Sequence, residues 1–272
     1  MSEILLGKEV SYESLYNPEL LAAVSRQQTR NEINIKQSSP FKGVDIWNAW
    51  ELSWLNLRGK PQVACARFSY SSESSHLVES KSLKLYLNSL NQSQFSSSIE
   101  VASTIADDLE KIVHSTVNVE IYEADGNWPG LDKPKGICLD EMDIVISEYQ
   151  LAPELLIDSA DQDDEPISER LYSHLFKSNC MVTGQPDWAT VFINYTGKPI
   201  KHKAILKYLI SFRNHQAFHE PCVERIFTDL MEYCSPDELS VYCRFTRRGG
   251  LDINPYRSTS DKIPENLREW RQ

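Results

Sequence analysis

The six cysteines of this 272-residue chain form no CxxC pair. A chain of this length needs no disulfide scaffold to hold a core, so Cys65, Cys138, Cys180, Cys222, Cys234 and Cys243 read as reduced thiols. No His/Cys cluster has the spacing of zinc ligands, and no metal site is expected. No apolar run is long enough to cross a bilayer. The opening MSEILLGKEVSYESLYNPEL lacks a basic start followed by an apolar core, so the expectation is a cytoplasmic chain without a secretory signal. No GxGxxG follows a strand-like run, which removes the fingerprint of the dinucleotide-binding βαβ fold. Positive charge is also short: the formal net charge is −11. Sequence-independent DNA binding needs Lys and Arg against phosphates, so direct contact with nucleic acid is not expected. A local basic pocket for a phosphorylated ligand stays open.

What is present is a duplication. Residues 59–70 read GKPQVACARFSY and residues 184–195 read GQPDWATVFINY. Gly59/Gly184, Pro61/Pro186, Ala64/Ala189 and Tyr70/Tyr195 coincide at one constant offset. Tyr86-Leu87-Asn88-Ser89 then matches Tyr208-Leu209-Ile210-Ser211, and Ile105, Asp108 and Leu109 match Ile226, Asp229 and Leu230, each at a slightly smaller offset. Three matches in one order argue for two copies of one module.

Each copy opens with β-rich sequence on both sides of a Gly-x-Pro turn, a hairpin signal. Two helical patterns follow. Leu83, Tyr86, Leu87 and Leu90, then Val101, Ile105, Leu109 and Ile112, mark them in copy one. Ile205, Leu206, Leu209 and Ile210, then Val223, Ile226, Leu230 and Met231, mark them in copy two. Alternating segments come next: Val117–Ile121 and Met142–Ile146 in copy one, Leu239–Cys243 and the region of Leu251–Ile253 in copy two. The expected fold is α+β: two tandem strand–strand–helix–helix–strand–strand modules with antiparallel sheets and helices on one face. The boundaries follow as an arm over 1–40, a first module over 41–150, an acidic linker over 151–170 and a second module over 171–272. Within the arm, Asn17 and Pro18 suit a helix start. LIDSADQDDEPISER, residues 156–170, reads as solvated.

The copies differ where chemistry is concerned. At the hairpin offset Leu55 takes the place of Cys180, and Gln62 that of Asp187. A turn over Thr183–Pro186 sets Asp187 opposite Val182. Cys180 then shares that face and lies diagonally from Asp187, about 7–8 Å away at the backbone. A register slip of one residue would destroy this. Taken alone, Cys180 is more often a small core residue than a nucleophile, and Asp187 a turn residue. Ser80 is a plausible helix cap, and Lys81 and Lys84 add positive charge at a helix start that attracts anions. The plainer reading is a capped helix with solvated lysines. Phe218-His219-Glu220 sits where the helices of copy two meet and offers a proton and a carboxylate, or merely a polar junction. Arg247-Arg248-Gly249-Gly250 suits a phosphate, or is a basic hairpin loop.

Together, ESKSLKLYL (79–87), SNCMVTGQPDW (178–188), FHE (218–220) and RRGGLDINPYRS (247–258) resemble the signature segments of the 7-cyano-7-deazaguanine reductases of queuosine biosynthesis, in their long, duplicated form. The resemblance covers essentially the whole chain, with the segments in the family's order. Shorter members tend to end the first segment with an aromatic residue, where this chain has Leu87.

The resemblance implies the tunnelling fold, no zinc, and NADPH as cofactor. It implies that Cys180 attacks the nitrile carbon of 7-cyano-7-deazaguanine to form a thioimide while Asp187 handles protons. By the same resemblance, Val78, Glu79, Ser80, His219 and Glu220 bind substrate, and Ser80, Lys81, Arg248 and Gly249 hold NADPH. It implies two hydride transfers, to 7-aminomethyl-7-deazaguanine, and a homodimer or larger homo-oligomer. The competing readings are a different pterin or purine enzyme of the same fold, which the missing zinc ligands disfavour, and a non-catalytic purine-binding protein. The last predicts no NADPH oxidation and no special reactivity at Cys180.

Overall fold

The computed structural model describes residues 12–35, 39–126, 130–160, 163–266 and 268–272. These fall into two compact units. Unit 1 takes the described residues of 1–37, 45–129 and 247–253; unit 2 takes those of 38–44, 130–246 and 254–272.

Unit 1 begins with β1 (Ala23–Ser25) and α1 (Arg26–Asn31). A hairpin follows, β2 (Lys42–Leu55) and β3 (Pro61–Ser71), then β4 (His76–Val78), α2 (Ser80–Ser89), α3 (Ser98–Val113) and β5 (Val117–Glu123). The strand order is β5-β3-β2, with β1 and β4 paired separately. Alternation puts Ala64, Ala66, Phe68 and Tyr70 of β3 on the buried face. There they join Leu83, Tyr86, Leu87, Val101, Ile105, Leu109 and Val113 from one stripe of each helix. Ser97 caps α3 by accepting from Glu100 N, and His114 ends it in the left-handed conformation.

Unit 2 holds β6 (Ile137–Cys138), β7 (Ile167–Asn179), β8 (Pro186–Gly197), α4 (His202–Ser211), α5 (His219–Cys234), β9 (Glu238–Phe245) and β10 (Leu251–Ser258). Its order is β10-β9-β8-β7-β6, antiparallel except for β6 against β7. β2 and β10 each have residues in both units. Ala189, Val191, Ile193 and Tyr195 are buried on one face of β8, while Phe192, Asn194 and Thr196 on the other line a cavity of about 560 Å³. The fold is thus mixed α+β with antiparallel pairing dominant. Among the described residues no helix is long and apolar enough to cross a membrane, and no group of three or more His, Cys, Asp or Glu could hold a metal ion.

The duplication is visible atom for atom. Tyr86 donates to Asp108 at 2.8 Å, and Tyr208 to Asp229 at 2.7 Å. Ser89 and Ser211 donate to the carbonyls of Tyr86 and Tyr208, each at 2.6 Å. His114 and Ser235 close the second helices with φ of 56° and 47°. Gly59 and Gly184 take φ of 77° and 68° in the two hairpin turns, a region that favours glycine.

Several expectations change. Met142–Ile146 forms no strand. The segment keeps alternate exposure, but among the described residues no neighbour completes a ladder, so alternation alone does not make it a strand. Residues 130–150 group with unit 2 rather than with the first hairpin. The acidic segment is only partly solvated: Leu156, Ser159 and Ala160 are buried, and β7 starts at Ile167. Asn17 does cap a helical start, but the result is one 3-10 turn, Pro18–Leu20.

Candidate active site

The β7–β8 hairpin carries Cys180 and Asp187. Ser178 pairs with Asp187 and Asn179 with Pro186. Beyond them Cys180 N donates to Gln185 O at 2.9 Å, and Gly184 N to Cys180 O at 2.9 Å. The turn is therefore wider than Thr183–Pro186, and the residue opposite Asp187 is Ser178, not Val182. The shift is four residues, an even number, so it preserves facing. Cys180 remains on the face of Asp187 as its diagonal neighbour.

The first copy corrects a second expectation. Leu55 N bonds Ser93 O and Phe95 N bonds Leu55 O. In the second copy Asn179 makes these bonds, to His215 and from Ala217. The structural counterpart of Cys180 is accordingly Asn56, not Leu55. Gly59 N reaches back three residues to Asn56 O, whereas Gly184 N reaches back four to Cys180 O. One extra residue in the second turn shifts the alignment. Asn56 spends its side chain on the turn, accepting from Arg58 N and Lys60 N.

The Asn179 bonds also bring α5 to the hairpin. His219 is the first residue of α5, and its Nε2 stands 3.7 Å from Asp187 Oδ1. Its ring meets Phe245 edge-on at 4.0 Å between centroids. Cys180, Asp187 and Glu220 are all buried. Cys222, one turn into the helix, lies in the same group. Burial pushes its thiol up to about 12, the Asp187 and Glu220 carboxylates push the same way, and the Ser178 hydroxyl opposes. Lys177 is lowered by burial and by Arg213, with Asp187 acting against both. Unit 2 thus assembles two thiols, two carboxylates and an imidazole around one strand end.

The other expected residues lie in unit 1. Val78 pairs with Ala23 in β4. Glu79 N donates to Ala22 O at 2.9 Å, so the arm holds the entry to α2. Glu79, not Ser80, is the cap: its carboxylate accepts from Lys81 N at 2.9 Å and Ser82 N at 2.7 Å. Part of the helix-start N–H set expected to attract an anion is therefore engaged by Glu79. Ser80 and Lys81 sit in the first turn, and Lys84 pairs with Glu51.

Arg248 and Leu251 close a tight turn by reciprocal backbone bonds of 2.9 and 3.3 Å around Gly249 and Gly250. Both glycines have positive φ, 61° and 78°, as a two-residue turn of primed type requires. A Cβ on Gly249 would meet only Lys84 Cγ, at 4.0 Å. This donor set of cationic side chains around a side-chain-free turn fits an anionic phosphate.

Sequence reasoning missed Cys222, for which the HEPC spacing, two residues after Glu220 on a helix, was the signal.

Comparisons with known proteins bear on the whole chain. A family model described as "Nitrile reductase, 7-cyano-7-deazaguanine-reductase N-term" matches residues 12–121, and one described as "QueF-like protein" matches residues 186–263. The chain is 52% identical over 271 residues to the NADPH-dependent 7-cyano-7-deazaguanine reductase of Cupriavidus taiwanensis, spanning 98% of this chain and 97% of that protein. It is 51% identical over 270 residues to the protein of that name from Dechloromonas aromatica, with 98% and 94% covered. For the one from Coxiella burnetii the figures are 49% over 270 residues, with 98% and 96% covered. Among solved structures, archaeosine synthase QueF-Like in the apo form matches at a TM-score of 0.31 and 15% identity, over 38% of this chain and 100% of that one.

Proposed function

The chain belongs to the NADPH-dependent 7-cyano-7-deazaguanine reductase family, and from that premise we propose how its residues divide the reaction. The protein reduces the nitrile of 7-cyano-7-deazaguanine to the aminomethyl group with NADPH, a step toward queuosine. A nitrile accepts hydride poorly, and covalent addition to a thiolate splits the task into easier steps. Cys180 is the nucleophile. Its sulfur bonds the nitrile carbon, its proton ends on the nitrile nitrogen, and the product is a thioimide. Asp187 relays that proton and, with His219 at 3.7 Å, supplies those needed at nitrogen afterwards.

Substrate binding falls to Glu220 and His219 and to Val78, Glu79 and Ser80, the two carboxylates accepting from the amino and ring N–H groups of the deazaguanine. A carboxylate has about four acceptor sites, so Glu79 can cap α2 and still receive a ligand N–H. A ligand lacking those donors would leave buried carboxylates unpaired and is rejected. Bound NADPH supplies hydride, twice per nitrile, because nitrile to amine is a four-electron change. Ser80, Lys81, Arg248 and Gly249 would hold it, on the donor set described above.

The two modules are tunnelling-fold units, supported by the paired Tyr–Asp–Ser contacts. The working assembly is a homodimer or larger, by analogy with that fold, in the cytoplasm, without direct contact to nucleic acid.

The observation that carries this reading is Cys180 and Asp187 on one strand face with His219 beside the carboxylate. The test follows NADPH absorbance with 7-cyano-7-deazaguanine as sole substrate. Two NADPH consumed per amine formed, with loss in Cys180→Ala, is the expected result. Amine formation by Cys180→Ala would overturn the nucleophile. Folded protein that consumes no NADPH would overturn the reading as a whole.

A further inference from the structure

Trp50 of β2 is fixed at both ends. Its backbone N–H donates to Gly250 O at 2.9 Å, which ties it to the Arg248–Leu251 turn. Its indole Nε1 donates to Asp252 Oδ2 at 2.6 Å. Asn48, two residues back on the same strand face, donates to Asp252 Oδ1 at 2.6 Å. Both oxygens of this buried carboxylate are thereby committed to β2. Arg247 is exposed, and its guanidinium lies over the Trp50 ring, 5.0 Å from the centroid. Gly250 is favoured here by its positive φ of 78°, which L side chains rarely adopt.

A guanidinium whose carbon lies over an indole face is attracted through that face and carries its N–H donors around its edge. That edge matches a phosphate monoester, which presents terminal oxygens to two parallel N–H bonds. We infer that Arg247 binds the 2′-phosphate distinguishing NADPH from NADH, and that Trp50, locked by Asp252, is the positioning residue that aims it. The inference rests on the placement of the cofactor at the 248–251 turn. Arg247 lies one residue outside that turn, over an aromatic platform. Arg248 and Gly249 belong to the turn itself.

Calorimetric titration with adenosine 2′,5′-bisphosphate and with 5′-AMP tests this without turnover. Wild-type protein is expected to prefer the bisphosphate. Arg247→Gln should lose about tenfold or more of that preference, the size of a charge-assisted contact, and leave 5′-AMP binding unchanged. Trp50→Leu should lose about two- to fivefold, the size of an exposed cation–π contact. Trp50→Phe, which keeps a ring face but not the bond to Asp252, should recover part of it. In turnover, the KM for NADPH should rise in Arg247→Gln while kcat and the KM for the nitrile hold.

An unchanged preference in Arg247→Gln overturns the inference. Equal loss for both ligands overturns it too, since the contact would not be with the 2′-phosphate. Trp50→Phe behaving like Trp50→Leu removes the positioning role. Each of these outcomes is distinct from failure of the reductase reading, in which wild-type protein oxidises no NADPH with the nitrile.

Discussion

His219 Nε2 and Asp187 Oδ1 stand 3.7 Å apart because Asn179 stitches the end of β7 to the segment leading into α5. On the proposed proton-handling role of this pair, removing the carboxylate should slow chemistry more than binding. Asp187→Asn is expected to lower kcat by roughly 10²–10⁴-fold, the usual range for a general acid–base group. The KM for the nitrile should shift little. Steady-state kinetics at several pH values measure both, and an unchanged kcat would remove Asp187 from the proton path.

Cys222 should be chemically silent in the folded protein. Its thiol is fully buried and pushed up to about 12, so the reactive thiolate is scarce at neutral pH. Iodoacetamide at pH 8 is expected to leave the Cys222 peptide unmodified until denaturant is added. Peptide mass spectrometry reads this directly, and labelling at the rate of a free thiol would contradict the buried placement.

Asp229 gives a signed pH effect on stability. Burial raises its carboxyl from 3.8 to about 6, with the Tyr208 hydrogen bond and Arg225 opposing. The folded chain therefore holds this proton more tightly than the unfolded chain. The associated stability is fully present below a pH of about 4 and is lost as pH rises through about 6. Asp229→Asn, which cannot ionise, should improve relative to wild type as pH goes from 4 to 7. Melting temperatures of the two proteins across that interval test the trend, and parallel curves would refute it.

Leu156 lies in the acidic stretch between the copies and is fully buried. Leu156→Ala should cost about 2–5 kcal/mol, as for other buried leucines. Ile157→Ala, at a site 56% exposed, should cost much less. Urea denaturation of both variants decides whether this segment is a packed element. Equal, small effects would return it to the status of a solvated connection.

Much of the architecture was legible because periodicity records burial. The stripes Leu83/Tyr86/Leu87 and Ile205/Leu206/Leu209/Ile210 fall on α2 and α4, with Leu90 just past the end of α2, and the stripes beginning at Val101 and Val223 fall on α3 and α5. The common face of Cys180 and Asp187 was legible too, but through parity alone. The turn was misplaced by an even number of residues, and side chains alternate with period two. The extra residue that makes Asn56 the counterpart of Cys180 left no trace in the aligned glycines, because loops absorb insertions without changing the strands they join. Met142–Ile146 shows the opposite failure, an alternating pattern with no ladder. Trp50 and Asp252 are 202 positions apart, and no local pattern links residues that only the tertiary fold brings together.

The twin tyrosine–carboxylate latches are not equally self-sufficient. Asp229 is served by Tyr208 and by Arg225, both on the helices of its own unit. Asp108 receives a second phenol, from Tyr16 at 2.6 Å, in the segment ahead of the first hairpin. During synthesis that phenol leaves the ribosome long before the carboxylate it will meet, and must wait for α3 to be made. The second latch closes from residues that emerge close together. The two halves therefore inherit one frame and different assembly schedules, and a truncated amino terminus would handicap the earlier half alone.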